Sequence, residues 1–264
     1  MVRSVLVGSI LVFLCSPFAR AERQVPPAVP AQTAAPQFQV ATIKPSQPDE
    51  VLRIQIAGRR FSTTGTTVVD ILKYAYGVHV QQIAGGPAWL ATEKFDILAD
   101  PDSETRPASN DMKKMVQQLL ADRLHLAVHR EKRELPVYAI VVAKSGAKLT
   151  PSTADPNGIP TSAPVRSGLF SAGNATMTDF AAFMQRYVMD RPVVDQTGIQ
   201  GRYDLHLQFT PDQSQSAGGA QPPQSGDAPS LYTAMQEQLG LRLEAMKAPV
   251  DVLVIDHVEQ PSAN

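Results

Sequence analysis

The chain has 264 residues, with 24 Lys+Arg against 25 Asp+Glu, 43% hydrophobic and 19% charged. That is enough to bury a core, and unlike either a disordered tail or a multi-span membrane protein. A formal charge of -1 lacks the basic excess expected of a nucleic-acid binder.

Residues 1–21 read as a secretory signal. Arg3 precedes an apolar run over 5–15 that is too short to span a bilayer comfortably, and Ala19-Arg20-Ala21 supplies the small-x-small site. Cleavage removes Arg3, Arg20 and the single cysteine, Cys15. The expected product is mildly acidic, free of thiols, periplasmic or secreted, and without stable membrane insertion. A retained anchor is the alternative. Residues 22–37, with Pro26, Pro27, Pro30 and Pro36, read as a stiff spacer.

Residues 38–150 read as a first α+β repeat. Thr67-Val68-Val69-Asp70 opens a helix with apolar Val68, Ile71, Leu72 and Ala75, the Thr-x-x-Asp supplying its cap. A Gly85-Gly86-Pro87 turn leads to an alternating strand over 94–98. Met112, Met115, Val116, Leu120 and Leu124 mark a second amphipathic helix, followed by a strand over 126–130. The mixed-charge run 129–134 is expected to be a solvated hairpin end. Beyond it Pro136 starts a buried strand that includes 139–142.

Residues 151–166 read as a proline-rich linker, and 167–264 as a second repeat with a low-complexity insertion at 210–229. Thr176-Met177-Thr178-Asp179 opens a helix with Met177, Phe180, Ala181 and Met184, at a constant offset from the first helix. A strand over 202–206 matches that at 94–98. Leu231, Ala234, Met235, Leu239 and Leu243 match the second helix, and Pro249 with Val252, Leu253, Val254 and Ile255 matches the proline-started strand. The expected fold class is α+β, a tandem duplication of a strand-helix-strand-strand-helix-strand-strand unit.

Several blocks then become recognisable: residues 38–45, Gly86-Pro87-Ala88-Trp89-Leu90 with Phe95-Asp96-Ile97, residues 118–124, and Arg191-Pro192-Val193-Val194-Asp195-Gln196-Thr197-Gly198 continuing to Asp204. As a set they resemble an uncharacterised secreted family of unknown function expanded in Acidobacteria such as Solibacter, across essentially the whole mature chain. The resemblance implies a domain related to some fused to membrane-bound metallopeptidase sensors, and it brings no catalytic residues. In element order the unit also resembles the short N-terminal domain of secretins and TonB-dependent transducers, a docking module; fold does not fix function.

No complete catalytic set is present. His125 and His129 lie four apart without the adjacent Glu of a zinc peptidase, where a helix gives way to a strand. Val193-Val194-Asp195-Gln196-Thr197-Gly198 approaches an aspartic-protease loop, but Gln196 interrupts it and the first repeat offers Gln82-Ile83-Ala84-Gly85-Gly86 instead. Asp195, Thr197, Gly198 and Gly201 therefore read as a structural turn. Trp89, the lone tryptophan, is either a packed anchor or a candidate partner surface. No cofactor fingerprint occurs. The expected function is a non-catalytic extracytoplasmic interaction or sensor module with an envelope protein as partner. The alternatives are a hydrolase using Asp195, Asp204, His206 and His129, or a small-ligand carrier in the cleft between the repeats.

Overall fold

The computed structural model describes residues 37–166, 168–211 and 228–261. The expected signal, nearly all of the spacer and most of the insertion at 210–229 lie outside the described residues. The fold is mixed α+β.

The first sheet is antiparallel, with β1 (Phe38–Pro45), β5 (Lys94–Pro101), β3 (Arg60–Thr67) and β2 (Arg53–Ala57) in the order β1-β5-β3-β2. On it pack α1 (Val68–Tyr76) and α3 (Ser109–Leu124), while the one-turn α2 (Trp89–Thr92) precedes β5. A second sheet is built the same way: β7 (Thr150–Pro151), β11 (Tyr203–Gln208), β9 (Leu169–Ala175) and β8 (Thr161–Arg166) run in the order β7-β11-β9-β8. It carries α4 (Met177–Tyr187) and α5 (Leu231–Leu239).

Both expected caps form. The Thr67 hydroxyl accepts from Asp70 N at 3.2 Å and Thr67 N donates back to the Asp70 carboxylate; Thr176 and Asp179 repeat the arrangement. Each helix buries the face that its apolar spacing marks out: Val68, Ile71, Leu72, Tyr74 and Ala75 on α1, and Met177, Phe180, Ala181 and Met184 on α4.

The two halves are joined by a sheet of order β10-β6-β12-β4. Its centre is a long antiparallel ribbon, β6 (Ala127–Val142) against β12 (Leu241–His257). β10 (Val193–Asp195), from the second half, lies parallel to β6 of the first, and β4 (Ile83–Gly85), from the first half, lies parallel to β12 of the second. Each half thus completes the other. The first core, with Phe61, Ile71, Leu72 and Leu120, takes in Leu253 and Ile255 of β12. The second, with Phe170, Phe180 and Met184, takes in Ile140 of β6.

This ribbon corrects several expectations. Residues 129–134 make no hairpin: they run through the middle of β6, with Lys132 paired across the ribbon to Asp251 at 3.0 Å. Charge alternation marks a solvated strand as readily as a strand end, and here it marks a two-stranded bridge. Pro136 and Pro249 do not start strands but sit inside β6 and β12. Tyr138 N points away from β12, to Pro192 O at 2.9 Å. The nitrogen two residues earlier points the same way, before β10 begins, so Pro136 removes no ladder bond. Residues 161–166, in the expected linker, are edge strand β8, and β7 also belongs to the second sheet. The order is therefore three strands, helix, two strands, helix and one long strand in each half, not the order on which the secretin-type likeness rested. Finally, α5 ends at Leu239 and Leu243 is on β12. The left-handed residue after each helix, His125 after α3 and Gly240 after α5, aligns the ends one helical turn away from the offset expected.

Candidate functional site

The acid that recurs in the two strand motifs, Asp96 in Phe95-Asp96-Ile97 and Asp204 in Tyr203-Asp204-Leu205, does one structural job twice. β3 carries an extra residue opposite β5 between Thr63 and Thr66, and β9 carries one opposite β11. At each bulge a residue has positive φ, Gly65 (58°) and Asn174 (51°), as such bulges require. Its N–H donates to the acid on the neighbouring strand, Gly65 N to Asp96 Oδ1 and Asn174 N to Asp204 Oδ1, both at 2.9 Å.

The Ser46 hydroxyl also donates to Asp96. Burial alone would raise the Asp96 pKa; the bonds from Ser46, Gly65 and Glu50 outweigh it and hold the carboxyl low. For Asp204 the Asn174 N–H, aided by Ser152, does the same. Glu50 is raised, chiefly by its hydrogen bond to Asp96, and its buried Oε2 finds no donor among the described residues. These acids are committed to backbone geometry.

The histidines are dispersed. His206 Nδ1 lies 3.2 Å from Ser171 Oγ on the exposed face of the second sheet, with Asp204 two residues away on the same strand. That places a hydroxyl, an imidazole and a carboxylate together, but Asp204 faces the bulge and the group lies on an open sheet face, not in a cleft. His129 contacts Asp256 at 2.9 Å on the exposed ribbon. His257 and His125 flank Glu259 at 3.0 and 3.9 Å. His79 is buried, accepts from Gln81 N as the cap of a 3-10 turn (Val80–Gln82), and is pushed down by burial and by Lys73. Among the described residues no group of three His, Cys, Asp or Glu is placed to hold a metal. Asp195, Asp204, His206 and His129 are not brought to one site.

Asp195 closes its turn. Its Oδ1 accepts from Thr197 N at 2.9 Å and from the Thr197 hydroxyl at 2.8 Å, and Ile199 N donates to Thr197 at 3.1 Å. Gly198 and Gly201 have φ of 68° and 106°. Gln196 N, the residue that breaks the protease-like pattern, donates to Ile140 O and docks the turn onto β6. Trp89 is half-buried and meets Phe95 edge-on at 6.3 Å, so most of its ring is used in packing. A shallow apolar crevice within the first half, lined by Ile43, Val68, Ile71, Leu120 and Leu124 among others, has no room for even a water-sized molecule; it is not between the halves.

Sequence reading expected an exposed strand edge or the seam between the halves as a binding surface but located no particular edge. β1 and β2 bound the first sheet, and β7 and β8 the second. The chain enters β2 through Val51 and Leu52, 80% and 51% exposed, and enters β8 just after Ile159, 61% exposed. These are large apolar residues beside unpaired backbone, the combination that natural edges usually avoid. The available signal was Val51-Leu52-Arg53-Ile54, too short a run to separate an edge strand from a loop.

No helix among the described residues is long and apolar enough to cross a membrane. No curated protein and no solved structure matches the chain. A family model does match, from the first turn of α1 to just beyond β12, and so includes both bulge acids, the Asp195 turn and the whole ribbon: over residues 69–258 the chain belongs to the family described as protein of unknown function (DUF3738).

Proposed function

We propose that the protein is a non-catalytic extracytoplasmic interaction or sensor module, built by tandem duplication, which binds an envelope protein along an exposed sheet edge. The observation that carries the reading is the pair of open edges β2 and β8, each reached through exposed apolar side chains. Backbone pairing at such an edge needs no special side chains beyond small apolar contacts, so a module of this kind can work without a catalytic motif. Export rests on residues 1–21. Duplication is supported by the matching sheet orders, the matching Thr-Asp caps and the two bulges locked by acids.

The test is cross-linking and pull-down of the exported chain from its own envelope fraction, beside a variant carrying Val51→Lys and Leu52→Lys. Both positions are solvent-exposed, so the variant should fold normally. The expected result is a discrete partner captured by the native chain and lost with the variant, together with no turnover on a broad hydrolase panel. An activity abolished by His206→Ala or Ser171→Ala in a folded protein would overturn the reading in favour of a hydrolase.

A further inference from the structure

Where α1, α3 and α4 meet, at the junction of the halves, polar groups converge that none of the preceding roles uses. Tyr74 of α1 is 7% exposed, and its hydroxyl is buried without a hydrogen-bond partner among the described residues. Arg186, in the last turn of α4, sits with its guanidinium 5.4 Å from the Tyr74 ring centroid and 5.2 Å from that of Tyr187. Lys113 of α3 is half-buried and within the electrostatic reach of Arg186, and Arg106, before α3, acts on Tyr74.

None of these three cations has an ion pair or a hydrogen bond among the described residues. Among the acids of the neighbouring elements, Asp70 is engaged with Thr67 and Lys73, Asp179 with Thr176, and Asp190 lies beside Arg191, while Asp111 of α3 pairs with none of the three cations among the described residues. Burial and Arg186 hold Lys113 below the ordinary lysine value, with no carboxylate acting to restore it. Burial raises Tyr74, and Arg186 and Arg106 pull it back.

A half-buried lysine beside an arginine is an unfavourable arrangement unless something negative joins them. A guanidinium stacked on two rings keeps its edge N–H groups free for a bidentate acceptor. A buried tyrosine hydroxyl without a partner is a donor waiting in place. We propose that Tyr74, Lys113 and Arg186, with Arg106 at the rim, form a binding site for a phosphate group, either free phosphate or a monoester. A tetrahedral dianion presents three oxygens and matches one hydroxyl donor, one ammonium and one guanidinium fork; a carboxylate presents two oxygens and half the charge.

The experiment titrates the exported chain with inorganic phosphate, phenyl phosphate and acetate at constant ionic strength, reading calorimetric affinity and thermal shift. A saturable thermal rise with phosphate, absent with chloride, is expected. Tyr74→Phe removes one oxygen atom and should weaken phosphate about tenfold, while leaving the melting temperature without phosphate equal or higher, because the unsatisfied hydroxyl is gone. Lys113→Gln should weaken binding by at least about tenfold. Tighter binding of phenyl phosphate than of inorganic phosphate assigns a monoester stacked toward Tyr187; equal or weaker binding assigns the free anion. The proposal is overturned if phosphate gives no saturable response, if acetate binds as tightly, or if both variants keep native affinity.

Discussion

Gly65 and Gly58 have almost the same backbone conformation, φ of 58° and 60°, yet their surroundings differ. A Cβ on Gly58, at the β2–β3 turn, would meet nothing within 4 Å, whereas one on Gly65 would lie 2.6 Å from Glu50 O and 3.1 Å from its carbonyl carbon. Substitution by Ala at Gly58 should therefore cost only the left-handed strain of a non-glycine residue, about 1–2 kcal/mol. At Gly65 the same strain applies, and the clash is with backbone, which cannot rotate away. Glu50 must be displaced, and the 2.9 Å bond from Gly65 N to Asp96 is lost or weakened, adding about 1–2 kcal/mol for a partly exposed charged acceptor. Gly65→Ala should thus destabilise by about 2–4 kcal/mol, or roughly 5–15 °C in melting temperature for a chain of this size.

Equilibrium urea unfolding of both variants at neutral pH measures the difference. If the two substitutions agree within about 0.5 kcal/mol, the close approach of Glu50 contributes nothing and the bulge is not the rigid point described.

Three other outcomes are expected. Asp195→Asn should leave unfolding free energy nearly unchanged, because the amide oxygen still accepts from Thr197, while Asp195→Ala should lose about 1–2 kcal/mol; equal effects of the two would remove the turn's side-chain role. The raised Glu50 gives stability that is full below its unfolded pKa and fades as pH rises through its folded value, whereas the lowered Asp96 and Asp204 give stability that fades as pH falls through theirs. Glu50→Gln should therefore raise the melting temperature at pH 7 and leave it unchanged near pH 4, and a fall at pH 7 would contradict the carboxyl pairing. Residues 38–150 made alone should show no cooperative unfolding, since β4 would lack β12 and the first core would lack Leu253 and Ile255; a stable folded fragment would show the halves to be independent.

Local chemistry was legible where the signal was local. Thr67 with Asp70 and Thr176 with Asp179 announce their caps, and the apolar spacing of α1 and α4 names the buried faces. Asp195 two residues before Thr197, with Gly198 following, announces a turn. Periodicity also misled once: Leu residues recur every four positions in α3, so Leu239 could be matched to Leu120 or, as the helix ends require, to Leu124. One helical turn of slippage still sets Val116 on Leu231, Leu120 on Met235 and Leu124 on Leu239, and the backbone at His125 and Gly240 decides between the two.

What sequence could not supply was partner choice between strands. Ile83-Ala84-Gly85 and Val193-Val194-Asp195 are short apolar strands that would satisfy any open edge, and two similar halves offer each of them two comparable edges. Pairing within a half and pairing across the halves look alike in sequence, because the two edges are so similar. The length of β6 and β12 decides it. Each strand enters one core with one end and the other core with the other end, and the stretch between, Arg130 to Glu134 against Pro249 to Leu253, links the two. A strand short enough to end at Pro136 would have left two separate domains with a cleft between them. The continuous ribbon instead ties the two halves together, brings Arg186 of one half against Tyr74 of the other, and among the described residues leaves β2 and β8 as the outer strands of their sheets.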